Sequence, residues 1–238
     1  HKEPARQKYI SDKGGIIRGD TTKKEIHLVF TGGDYADGGE HIRQTVKAKG
    51  IPAHFFFTGD FYRAPENKTL IRELIKDGHY LGAHSDKHLL YAPWDNRDSL
   101  LVSREEFITD LQNNYKEMKR FGISDQKARL FMPPYEWYNA TISQWTHDLG
   151  LTLINFTPGT YSNADYTTPD MGERYLSTDV IMQKILNYES KSTSGLYGFI
   201  LLLHIGTHPD RKDKFYYQLG DLISELQKRG YRFTLLNI

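Results

Sequence analysis

Two histidines four residues apart, in His84-Ser85-Asp86-Lys87-His88, form the pair best able to act together chemically. If that segment turns helically, the spacing puts both imidazoles on one side, a turn apart, where they can share one cation. The 238 residues contain no cysteine, so disulfides, thiolate ligands and thiol nucleophiles are excluded, and any metal must be held by histidine and carboxylate. Asp34, in Thr31-Gly32-Gly33-Asp34, supplies the third donor. A His, His, carboxylate set leaves positions open for water or substrate, as a catalytic site needs and a closed structural site does not. The bland alternative is that a chain with 10 histidines carries one such pair by accident, as surface or capping residues.

These groups form one site only if the fold gathers them. Short β-rich runs at 26–31, 53–57, 80–83, 130–132, 151–156, 199–204 and 231–235 alternate with helical patterns at 39–49, 70–77, 104–121, 140–149, 178–188 and 213–229. That alternation is the signature of βα units around a parallel sheet, and glycines at 50, 78, 122, 150 and 230 suit left-handed helix ends. The expected fold is therefore α/β, a distorted (β/α) barrel of about seven parallel strands, with residues 25–238 as one domain. Residues 1–24, polar and without periodicity, are expected as an N-terminal extension on its surface. In such barrels reactive groups sit at the C-terminal strand ends, which selects Asp34, His84, His88, the Pro133-Pro134-Tyr135-Glu136-Trp137 segment and His204.

Composition narrows the partners. With 31 Lys+Arg against 30 Asp+Glu, a net charge of +1 gives no field to recruit nucleic acid or an anionic membrane. No apolar run reaches the roughly 20 residues of a membrane span. Aromatic content of 13 %, with 16 Tyr and 3 Trp, suits a surface that stacks on sugar rings, or a core.

Taken in order, these motifs resemble the polysaccharide deacetylase family, carbohydrate esterase family 4, with its NodB homology domain. Leu28-Val29-Phe30-Thr31-Gly32-Gly33-Asp34 is similar to the family's first motif, Thr-Phe-Asp-Asp-Gly, and His84-Ser85-Asp86-Lys87-His88 to its second, His-Ser/Thr-x-x-His. Phe131-Met132-Pro133-Pro134-Tyr135 resembles the third, Arg-Pro-Pro-Tyr, and Leu201-Leu202-Leu203-His204 the fifth, Leu-x-Leu-x-His. The resemblance implies an exported hydrolase, in a periplasm or at a cell surface, that removes acetyl groups from N- or O-acetylated carbohydrate. It implies a divalent metal, zinc, on Asp34, His84 and His88; an oxyanion hole completed by the Tyr135 amide; and His204 as the acid for the leaving group. Asp165 is the nearest match to the acid that orients that histidine, and an ordinary polar turn is the competing reading. Met132, Pro134 and Trp137 are the residues expected to face substrate, with Tyr138 beside them.

The pattern also breaks. Gly33 stands where the family has a general base, and Met132 where it has the arginine that pairs with that base. Losing only the carboxylate would strand a desolvated guanidinium, so the joint replacement suggests a remodelled site. Asp37, Asp86 and Glu136 are the nearby acids able to substitute; Asp37, in the same loop as Asp34, is the expected one, although it also fits a turn before Gly38-Gly39. In an alternative register, Tyr35-Ala36-Asp37-Gly38 matches the first motif and Asp37 becomes the ligand. Two other functions stay open at this point: a glycan-binding domain that has lost turnover, and a metal hydrolase for another amide or ester.

Overall fold

From Ile26 onward every residue of β3 (Glu25–Gly32) is buried, the pattern of a strand covered on both faces. In the computed structural model, which describes residues 8–238, this strand is the centre of a curled sheet. The other strands are β1 (Ile10–Asp12), β2 (Gly15–Arg18), β4 (His54–Phe57), β5 (Tyr80–Ala83), β6 (Leu130–Phe131), β7 (Thr152–Leu153), β8 (Phe199–His204) and β9 (Arg232–Phe233). Their order is β1-β2-β8-β3-β4-β5-β6-β7, with β9 paired to the start of β3. All pairings among β3 to β9 are parallel, so seven parallel strands form the expected distorted barrel.

The first segment departs from expectation. Residues 1–7 lie outside the described residues, but β1 and β2 form an antiparallel hairpin that belongs to the sheet rather than lying on the domain as an extension. β2 pairs with β8 through Arg18 and Phe199, while Ile16 bridges to Ile154 just past β7. It thus fills the gap between the two ends of the parallel set. A four-residue strand opening with Gly15 is too short for its periodicity to register, and a Cβ at Gly15 would overlap Tyr138 and Leu153.

Side chains alternate between two cores. Ile26, Leu28, Phe30, Phe55, Phe57, Leu201 and Leu203 pack outward against the helices, whereas Val29, Phe56, Leu130, Met132, Ile154, Ile200 and Leu202 fill the barrel. At the N-terminal end of the barrel His54 donates from Nδ1 to the Leu28 carbonyl at 2.9 Å and accepts the Leu236 amide at 2.9 Å. Burial pushes its pKa down to about 4, so it is a neutral, satisfied plug. At the opposite end the inward positions are Thr31 and His204.

The covering helices are α1 (Gly39–Ala48), α2 (Gly59–Arg63), α3 (Lys68–Lys76), α4 (Arg104–Lys119), α5 (Ala140–Asp148), α6 (Thr178–Lys191) and α7 (Leu219–Lys228). Several stop where expected, for example at Gly78 and Gly230, whose φ of 85° and 91° only glycine adopts without strain. Helix α4 starts at a reciprocal capping box between Ser103 and Glu106, which fixes the face it turns to the barrel rim.

Candidate active site

The His84–His88 segment is not a helical turn, contrary to expectation. Ser85 and His88 have φ of 69° and 54°, so the chain reverses twice instead of winding. Asp110 on α4 imposes this path: its carboxylate accepts from Ser85 Oγ at 2.6 Å and from the amides of Asp86 and Lys87 at 3.0 Å each. Ser85 Oγ in turn accepts the Leu89 amide at 3.0 Å. Asn114, one helical turn further on, accepts the His84 amide at 3.0 Å and donates to the Phe57 carbonyl at 3.3 Å, tying the ends of β4 and β5 to the same helix. The two imidazoles still meet, with ring centroids 5.1 Å apart.

The donor chemistry suits a cation. His84 Nδ1 lies 2.8 Å from the Met132 carbonyl, which can only accept, so the proton sits on Nδ1 and Nε2 keeps its lone pair for the cleft. Burial holds His84 well below its ordinary pKa and pushes His88 down to about 4 against the opposing charge of Asp34, so both rings are neutral, as ligation requires. Asp34, exposed, lines the same cleft of about 1040 Å³ with His84, His88 and His204. Among the described residues no three such side chains already stand close enough to form a cage, so the fit is one of donor type, tautomer and shared cleft.

Across the rim, His204 and Asp165 are coupled. Asp165, in the turn Ser162–Tyr166, accepts His204 Nδ1–H at 2.6 Å and the His204 amide at 2.8 Å. This fixes the tautomer and leaves Nε2 for the cleft. Burial disfavours the imidazolium, but the Asp165 charge and bond, aided by Glu136, lift the His204 pKa above its usual value.

The third wall is the turn Pro134–Glu136. Tyr135 and Glu136 both have left-handed backbones, with φ of 59° and 51°. Such a conformation costs a non-glycine residue about 1–2 kcal/mol. The amides of Glu136 and Trp137 bond to the carbonyls of Pro133 and Pro134, whereas that of Tyr135 has no acceptor among the described residues, as an oxyanion donor requires. The Glu136 carboxylate reaches 3.9 Å from His84 Nε2, and burial pushes its pKa up to about 7.

Other expected residues lie elsewhere. Asp37 takes no part in the cleft wall: its carboxylate accepts from the Thr207 amide and Tyr216 hydroxyl at 2.8 Å each and pairs with Lys214 at 3.1 Å, latching its loop to the one after β8. Despite the opposing effect of burial, these bonds hold Asp37 below its ordinary pKa. Asp86 pairs with Arg63 at 2.5 Å, away from the cleft. Met132, expected to face substrate, is fully buried in the barrel because the strand alternation carries its side chain inward. Pro134 is buried beneath the turn, and half-buried Trp137 donates to the Pro93 carbonyl at 3.2 Å. Trp94, 60 % exposed, packs edge-on to Tyr135 and beside Trp137, and with Tyr135 it adds aromatic surface to the cleft wall. It sits in an irregular loop and carries no sequence signal.

Comparison with known proteins identifies the family and agrees with the fold. The family model for polysaccharide deacetylase matches residues 18–154. The chain is 28 % identical over 232 residues to a 30.6 kDa protein of Geobacillus stearothermophilus, covering 96 % of this chain and 75 % of that one. It is 24 % identical over 216 residues to a peptidoglycan-N-acetylglucosamine deacetylase of Bacillus cereus, covering 90 % and 87 %. The crystal structure of a family 4 carbohydrate esterase pseudoenzyme from Bacillus anthracis shares the fold, with a TM-score of 0.72 at 20 % identity over 95 % of this chain and 68 % of that one.

Proposed function

The chain belongs to the polysaccharide deacetylase family, and from that premise we propose that it hydrolyses acetyl groups from an N- or O-acetylated carbohydrate outside the cytoplasm. The observation that carries this reading is one cleft lined by Asp34, His84, His88 and His204, in which His84 is bonded through Nδ1 to the Met132 carbonyl and His204 through Nδ1 to the buried Asp165 carboxylate, so that both turn Nε2 to the cavity. Asp34, His84 and His88 are the residues that would hold a divalent cation, zinc by family resemblance, which when bound polarises the acetyl carbonyl and acidifies water. The Tyr135 amide receives the negative charge that develops on the carbonyl oxygen. His204 presents a proton at Nε2 to the departing amine or alkoxide, and Asp165, bonded to Nδ1, favours the protonated ring. Trp94 and Tyr135 offer ring faces for a sugar, and no described helix is long and apolar enough to cross a membrane.

One feature favours a second reading, a glycan-binding domain without turnover. Gly33 leaves the family's base position without a carboxylate, and one protein of the same fold is a pseudoenzyme. Acetate release separates the two. Purified protein is incubated with N-acetylated chitooligomers, peptidoglycan and acetylated xylan, alongside His204→Ala. Release by the parent that falls by about a hundredfold or more in the variant supports the hydrolase. Glycan binding with no acetate from any substrate supports the binding domain.

A further inference from the structure

We propose that Glu136 supplies the carboxylate that Gly33 lacks, entering the cavity from the strand end opposite Asp34 and accepting the proton of the attacking water. This rests on the deacetylase reading. The Glu136 carboxylate approaches the free Nε2 of His84 to 3.9 Å and lines the cleft with Asp34, His88 and His204, so it stands among the groups that would flank the acetyl carbon. Glu136 makes no salt bridge to lysine or arginine among the described residues.

Two further observations say that the side chain, not the backbone, selects glutamate here. Position 136 is left-handed, where glycine is the strain-free residue, and the bond that holds the turn, from Asn155 Nδ2 to the Glu136 carbonyl at 2.9 Å, would survive any substitution. At position 33 the reverse holds. A Cβ built on Gly33 meets only Thr58, at 3.6 and 4.0 Å, so the space for a carboxylate is open and left unused. The rival acids are engaged: Asp37 by Thr207, Tyr216 and Lys214, and Asp86 by Arg63. Met132, at the position of the family's arginine, is turned into the barrel and offers no charge to an acid at 33.

The step balances. As the water oxygen bonds to the acetyl carbon, its proton passes to a Glu136 oxygen. As the C–N or C–O bond breaks, the leaving atom takes the proton of His204 Nε2. Acetic acid departs, and the proton on Glu136 is lost to solvent while His204 regains one.

The test is a four-protein comparison of acetate release, with zinc content measured on each: parent, Glu136→Gln, Gly33→Asp and the double variant. Glutamine keeps the shape and the same backbone demand, and aspartate fits the open space at 33, so all four fold. Expected is a loss of about a hundredfold to ten-thousandfold in kcat for Glu136→Gln, with KM and zinc content unchanged, and partial recovery in the double variant. Glu136→Gln with parental activity overturns the proposal, as does loss of zinc along with activity, which would make Glu136 a ligand. A silent parent with an active Gly33→Asp variant overturns the role of Glu136 but spares the deacetylase reading. Silence of both overturns both.

Discussion

Replacing Asp165 by asparagine removes one charge from a closed pair and changes little else. Asp165 is 3 % exposed and uses one oxygen for His204 Nδ1 at 2.6 Å and the other for the His204 amide at 2.8 Å. An asparagine has one oxygen, so it satisfies one of these donors and turns an NH₂ toward the other. A hydrogen bond to a charged group contributes about 1.5–3 kcal/mol, and at about 1.4 kcal/mol per tenfold this corresponds to a drop of roughly 10- to 150-fold in activity at neutral pH. The direction with pH follows from the imidazole. In the proposed role His204 acts when protonated, so activity should decline as pH rises through its pKa. Burial opposes the charge, while Asp165, by charge and bond, lifts that pKa above 6.5, with Glu136 adding to it. Asp165→Asn should therefore move the alkaline limb of the acetate-release profile to lower pH. Stability follows the same sign: because the folded pKa is raised, the contribution of the pair is complete below the unfolded value of 6.5 and fades as pH rises through the folded one. The Tm gap between parent and variant should be larger at pH 5.5 than at pH 9. An unmoved alkaline limb, with activity scaled down equally at every pH, would refute the reasoning.

Asp110→Asn exchanges three good acceptor contacts to the histidine loop for a mismatched amide. Denaturant melts should show a loss of about 1–3 kcal/mol, and zinc titration should show affinity about 10- to 100-fold weaker, because the group that orients the ligand loop is gone. Gly59→Ala places a methyl against the Asp86 carboxylate where α2 crosses the loop, and calorimetry should register about 1–3 kcal/mol of overpacking. Trp94→Ala removes an exposed ring of the cleft. It should raise KM about 2- to 10-fold by the worth of an aromatic contact of about 0.5–1.5 kcal/mol, leaving kcat alone and the melting point within a degree or two.

The strands, helices and glycine stops were legible because buried β-rich runs and helical periodicity are long signals, and β5 and β8 fall where residues 80–83 and 199–204 predict them. The histidine motif was legible as two imidazoles that meet in one cleft but not as a shape. Spacing suggests a helix, whereas Asp110 and Asn114, distant in sequence and unremarkable on α4, bend it into a left-handed loop. β2 stayed hidden because the strand has only four residues and, apart from its hairpin partner β1, it pairs about 140 and 180 residues away. Met132 was expected at the cleft from its place in the third motif, whereas its side chain follows the apolar alternation into the barrel. Glu136 could be named as an acid but not located, since only a left-handed backbone brings it over the cleft.

The proposed hydrolysis depends on one cation shared by Asp34, His84 and His88. Its most direct test is acetate release by chelator-stripped protein titrated with zinc, run with the parent and with His88→Ala at equal concentration. The predicted result is no release from stripped parent, recovery that saturates near one zinc per chain, and neither tight zinc nor acetate in the variant. Equal release from the stripped and reloaded parent, or full activity in His88→Ala, would contradict it.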